Sequence, residues 1–166
     1  FFLPENTRLL MLGSFPPPKA RWSMDFYYPN IQNDMWRILG LIFYGNKDAF
    51  LRDKKAFSEE KAKAFCREKG IGIGDTAMEV IRLKANASDK FLEVVRPIDP
   101  EKVLSQIPEC VAIVVTGHKA MDTLLSVLPG TEEPKVGFSS EFSCMGRTMS
   151  NYLFRVYTYF KYLMRH

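Results

Sequence analysis

Three consecutive prolines, Pro16, Pro17 and Pro18, follow an apolar run over residues 7–12, separated from it only by Gly13-Ser14-Phe15. Proline fixes φ and has no N–H to donate, so neither a helix nor a central strand can continue through this segment. The apolar run has no 3.6-residue period, which reads as a buried strand leaving its sheet into a rigid loop. The rest of the chain has to be arranged around that exit.

The pattern that follows alternates helices with short apolar strands. A helix is expected over about residues 34–43, with Met35, Ile38, Leu39 and Ile42 on one face. Ser58 caps a second helix that has Glu59 and Glu60 in its first turn and Gly70 as its stop. Ile71-Gly72-Ile73-Gly74-Asp75-Thr76 then reads as a short strand opening into a loop. Asp99-Pro100 starts another helix, and the β-branched run at 111–115 is a buried strand that passes through Thr116-Gly117 into a helix over 118–128. Strands and helices alternating at this spacing predict a parallel sheet covered on both faces.

Size and composition bound the remaining choices. At 166 residues the chain fits one domain, 1–166, of the usual ~100–200 residues and needs no disulfide or metal to hold a core. It is 46% hydrophobic and 25% charged, with a mean hydropathy of -0.14, which excludes a disordered, collagenous or coiled-coil chain. No apolar run reaches the ~20 residues of a membrane span, and Phe1-Phe2-Leu3-Pro4-Glu5 turns polar too quickly for a signal peptide. Cys66, Cys110 and Cys144 are far apart and lack metal-ligand spacing, so they read as reduced thiols of an intracellular, cytoplasmic protein without a metal site. The net charge of +4 permits a polyanionic partner without requiring one.

Few motifs carry chemistry. Gly72-x-Gly74 lacks the third glycine of a dinucleotide fingerprint, and Asp75 stands where the helix should open. The informative region is the loop after the first strand, with Phe26-Tyr27-Tyr28-Pro29-Asn30-Ile31-Gln32-Asn33-Asp34-Met35-Trp36 about a dozen residues on. In an open α/β sheet the ligand crevice lies at the carboxyl ends of the strands, where this loop forms a wall. Paired tyrosines with amide side chains supply the stacking faces and the donors and acceptors that read an extruded base. The same asparagines also suit local backbone turns.

These blocks together resemble the uracil-DNA glycosylase superfamily, in particular its hypoxanthine (deoxyinosine) and mismatch-specific branches. The likeness runs from Gly-x-x-Pro at Gly13 through the tyrosine-rich stretch to Trp36. It extends over residues 69–80, similar to the second strand and base-reading loop, and 114–120, similar to the strand and helix start that approach the DNA backbone. The resemblance implies a three-layer α/β/α sandwich around a central, mainly parallel four-stranded sheet. It also implies a cofactor-free, metal-free monomer that flips a deaminated base, hypoxanthine or uracil, out of DNA and hydrolyses its N-glycosidic bond. Asn33 matches the asparagine proposed as catalytic in the hypoxanthine branch, and it is equally placed to cap the helix that starts beside it. Tyr28 matches the aromatic that stacks on the flipped base, and Gly13, Ser14 and Phe15 offer backbone N–H groups to a base carbonyl. Asp75 falls where uracil-specific members carry an amide, while His118 and Lys119 fall where a phosphate is met.

Two departures keep a second reading open, a catalytically weak nucleic-acid-binding domain on the same scaffold; a small-molecule α/β enzyme is a third. Phe15 replaces the water-positioning asparagine of the mismatch branch, and a carboxylate at Asp75 can accept hydrogen bonds but not donate them. The third signal lies near the end, where residues 137–154 read as an antiparallel hairpin or edge strand. Residues 151–160 then run into Lys161-Tyr162-Leu163-Met164 without a glycine, proline or cap. Strand-to-helix junctions normally take two to six residues, so a loop is expected to be missing near 155–157, where the family carries its Ser/Pro clamp. Ser139-Ser140 precedes the last strand and does not replace that clamp.

Overall fold

A computed structural model describes residues 1–13, 15–83 and 91–128, together with the backbone of Val156–Tyr159. Its centre is strand β1, Leu9–Gly13, flanked by β4, Ile71–Asp75, on one side and β7, Ala112–Thr116, on the other. All three run parallel, in a register that sets Gly13 against Asp75 and Leu12 against Val115. Val156–Tyr159, β8, pairs antiparallel with β7 at its outer edge, so the parallel part of the sheet is three strands wide.

Strand side chains alternate between faces, which gives β1 two cores to serve. Leu10 and Leu12 join Ile113 and Val115 beneath α3, Pro100–Ser105, and α4, His118–Ser126. Met11 joins Ile71 and Ile73 beneath α1, Met35–Tyr44, and α2, Glu59–Lys69. This second core is aromatic: Trp36 and Phe50 lie 5.2 Å apart and Phe50 and Phe65 5.1 Å apart, centroid to centroid. Each fully buried phenyl ring there contributes roughly 1.5–3 kcal/mol. A short antiparallel pair, β2 (Leu51–Asp53) and β3 (Ala56–Phe57), closes the connection between α1 and α2.

The capping signals act as the sequence predicts. Ser58 Oγ accepts from the Lys61 N–H and Gly70 ends α2 at φ +64°, while Asp99 accepts from the Lys102 N–H at the start of α3. The buried face of α1 differs from expectation. It consists of Met35, Trp36, Leu39 and Gly40, while Ile42 is 48% exposed. The helix turns its glycine inward because the Asn46 carbonyl lies where a Cβ on Gly40 would be, at 2.4 Å.

The larger correction concerns residues 77–97. The chain does not open into a loop after Thr76 but continues as β5, Ala77–Arg82, which pairs antiparallel with β6, Leu92–Pro97. The glycines of β4 also find their role here. A Cβ on Gly74 would lie 2.2 Å from the Phe1 ring, and one on Gly72 2.9 Å from Thr7 Cγ2. Bare Cα atoms thus let the N-terminal segment lie along β4, where Phe2 and Ile73 exchange two 2.9 Å backbone hydrogen bonds. Ser14, Cys144, the 137–154 stretch, Arg155 of the expected junction and the final helix lie outside the described residues.

Two left-handed glycines at helix ends provide a controlled test of packing. At Gly45 (φ +63°) a Cβ meets nothing within 4 Å, whereas at Gly70 (φ +64°) it lies 2.5 Å from the Asn6 carbonyl oxygen. Gly45→Ala is expected to cost about 1–2 kcal/mol, the left-handed penalty alone. Gly70→Ala, which must also displace backbone, is expected to cost at least twice as much, measured from urea denaturation midpoints.

Candidate functional site

The site lies at the carboxyl ends of the three parallel strands, and its floor is a residue without a side chain. A Cβ on Gly13 would stand 3.3 Å from both Asp75 Oδ1 and the Tyr28 hydroxyl oxygen. The bare Cα of Gly13 therefore lies between a carboxyl from β4 and a phenol from the aromatic loop. Its carbonyl is already occupied, accepting from the Thr76 N–H at 2.8 Å and the Thr76 hydroxyl at 3.1 Å.

Tyr28 reaches this position through strain and two anchors. Its φ is +51°, a conformation that costs a non-glycine residue roughly 1–3 kcal/mol and persists only where the surroundings over-determine it. Trp36, fully buried, donates its indole N–H to the Tyr27 carbonyl at 2.9 Å, and Ser23 holds the Pro29 carbonyl through both its N–H and its hydroxyl. On the far side the Tyr28 hydroxyl lies 2.9 Å from Thr116 Oγ1, and Thr116 donates to the Leu12 carbonyl at 3.3 Å. With the threonine proton so used, Tyr28 is the donor of that pair. Burial holds its phenol well above the ordinary tyrosine range, so it stays neutral. Thr116 was not singled out in the sequence, because the bond spans 88 positions.

Asp75 is the acidic member of the group. Burial raises its carboxyl from 3.8 to about 6, partly opposed by the amino group of Phe1. No basic side chain among the described residues forms an ion pair with it. Tyr27, beside it, is pushed up to about 12 by burial and then by the Asp75 charge.

Asn33 sits where the aromatic loop becomes α1. Its Oδ1 accepts from the Met35 N–H at 2.9 Å, so it does cap the helix start. Asn30 similarly accepts from the Gln32 N–H at 2.9 Å, and Arg37 braces the turn by donating to the Ile31 carbonyl at 2.6 Å. No hydrogen bond among the described residues joins Asn33 to Tyr28 or Asp75. Among the described residues its side chain makes only the bond to the Met35 N–H, and an amide offers further donors and an acceptor beyond that.

The remaining residues line the same edge. Phe15 is partly buried, and the next residue, Pro16, accepts from Arg82 Nη2 at 2.9 Å, which ties the proline loop to the β5–β6 hairpin. His118, exposed, and Lys119, partly buried, open α4 just past β7, and Gly117 before them has φ +99°. On the outer side of the aromatic loop, Arg21, Trp22, Asn30, Gln32 and Lys55 line a cleft of about 470 Å³. Among the described residues no three His, Cys, Asp or Glu side chains are grouped to hold a metal ion, and no helix is long and apolar enough to cross a membrane.

Two stability measurements follow from these bonds. Thr116→Val leaves the Tyr28 phenol buried without its acceptor and is expected to cost about 1–3 kcal/mol, while Tyr28→Phe, which leaves Thr116 bonded to Leu12, costs less. Asp75 binds its proton more tightly folded than unfolded, so its penalty on stability appears as pH rises from about 4 to about 6 and persists above. Asp75→Asn should therefore match the native chain near pH 4 and exceed it by up to roughly 3 kcal/mol at pH 7, read from denaturant melts at both pH values.

No protein-family model matches the chain, and no curated protein matches it. Among solved structures, the fold is similar to the solution structure of a protein from Methanosarcina acetivorans described as a "putative Uracil DNA glycosylase". The two are 27% identical with a TM-score of 0.56, over 72% of this chain and 68% of the other. That likeness supports the uracil-DNA glycosylase superfamily, which the motifs at Gly13, Tyr28 and Asn33 resemble.

Proposed function

We propose that this chain is a DNA glycosylase that removes a deaminated base, hypoxanthine or uracil, of the type found in the hypoxanthine and mismatch-specific branches. One observation carries the reading: Gly13, Tyr28, Asp75 and Thr116 converge at the carboxyl ends of β1, β4 and β7, leaving a bare-Cα floor between an aromatic ring and a carboxyl group. The structural likeness to the Methanosarcina acetivorans protein supports the same class.

In this reading a nucleotide is extruded from the duplex, its base stacks on Tyr28 beside Gly13, and backbone N–H groups of Ser14 and Phe15 meet a base carbonyl, the Gly13 N–H being held in the ladder with β4. Asp75 contacts the base edge. Asn33 orients the attacking water with its amide as the bond to deoxyribose loosens and positive charge develops on the sugar. His118 and Lys119 meet a backbone phosphate at the start of α4. The protein acts as a single-domain monomer, without metal or cofactor, on DNA.

The capping bond of Asn33 favours the alternative, a weakly catalytic nucleic-acid-binding domain, because one of its oxygen lone pairs is already committed to the Met35 N–H. Two substitutions separate the roles. Asn33→Ala removes both the cap and the amide, whereas Asn33→Ser keeps a capping oxygen and removes only the amide. Release of free base from oligonucleotides carrying deoxyinosine, deoxyuridine or deoxyxanthosine is expected with the native chain. It should fall by about 100-fold or more in both variants, with thermal stability retained in the serine variant. Salt-dependent binding without release from any substrate would select the alternative.

A further inference from the structure

A part-buried carboxyl with hydrogen-bonding capacity to spare can take its partner from what enters the site. Asp75 ends β4 with its Oδ1 over the bare Cα of Gly13, as close to that floor as the Tyr28 hydroxyl. Among the described residues no donor engages its carboxyl group and no Lys, Arg or His pairs with it. The groups that face it are Tyr27 and Tyr28 from the aromatic loop and the amino group of Phe1 from the segment along β4. Both phenols are held above their ordinary range and stay neutral near pH 7.

We propose that Asp75 reads the extruded base as a neutral carboxylic acid, its O–H donating to a ring carbonyl and its second oxygen accepting from the adjacent ring N–H. This rests on the glycosylase reading above and assigns the base edge that the site selects. Uracil presents that edge as O4 beside N3–H and hypoxanthine as O6 beside N1–H, so one side chain serves a pyrimidine and a purine. An ionised carboxylate offers two acceptors and no donor, and it sets a negative charge against the lone pairs of the carbonyl. The raised carboxyl of Asp75, about 6, keeps the neutral form accessible near neutrality, and a base that binds only that form raises it further.

The test is binding of the full chain and of Asp75→Asn to a duplex oligonucleotide carrying a non-cleavable 2′-fluoro-deoxyuridine or 2′-fluoro-deoxyinosine. An undamaged duplex is the control, followed by fluorescence anisotropy from pH 5 to 8 at fixed ionic strength. The preference of the native chain for the lesion should fall about tenfold or more between pH 5.5 and 7.5, as the competent fraction shrinks. Asp75→Asn, whose amide always offers one donor and one acceptor, should keep its preference at both ends of the range. A native preference that does not change with pH, or loss of preference in a folded Asp75→Asn protein at pH 5.5, overturns the assignment while leaving the glycosylase reading intact. If that variant does not fold, the carboxyl ¹³C resonance of native Asp75 decides: its titration must move to higher pH with the lesion duplex, and a fixed or lowered midpoint overturns the proposal. Absence of any lesion preference at every pH overturns the proposed function itself, and this inference with it.

Discussion

A fully buried tryptophan cannot leave its indole N–H unpaired, and much of the site follows from where that N–H finds an acceptor. Trp36 is wedged among Phe26, Phe50 and their neighbours, and it donates to the Tyr27 carbonyl. The bond pins the aromatic loop to the core of α1 and α2 one residue before Tyr28. With Ser23 holding Pro29 from the other side, the backbone between them is forced into its left-handed turn. The phenol then falls across the strand ends onto Thr116. Core packing and site geometry are thus joined through a single peptide carbonyl.

Much of the scaffold is legible in the sequence because its signals are local. Ser58 with Gly70, Asp99 with Pro100, and the β-branched run entering Thr116 each declare an element boundary within a few residues. The β5–β6 hairpin is not legible in the same way. Met78, Ile81, Leu83 and Val95 are apolar yet half or more exposed, so the strands lack the clean alternation of a half-buried pair. The inward face of α1 also escapes a periodicity argument, because a buried glycine carries no hydrophobic signal.

The site divides along the same line. Gly13, Tyr28 and Asp75 could be named from motifs spaced along the chain, and the parallel register of β1 and β4 brings two of them side by side. What the motifs could not give is the environment. The partnership of Tyr28 with Thr116 and the burial that raises Asp75 depend on contacts between segments far apart in sequence. A reading by residue type alone makes Asp75 an acceptor. Its surroundings raise that carboxyl to about 6.

Thr76 is the single residue between β4 and β5, and it binds the Gly13 carbonyl twice. The chain that leaves Asp75 is therefore tied to the end of β1 at Thr76 and to the proline loop where Arg82 meets Pro16. The hairpin, for all its exposed apolar side chains, is thus attached at both places to the loop and strand end that border the site.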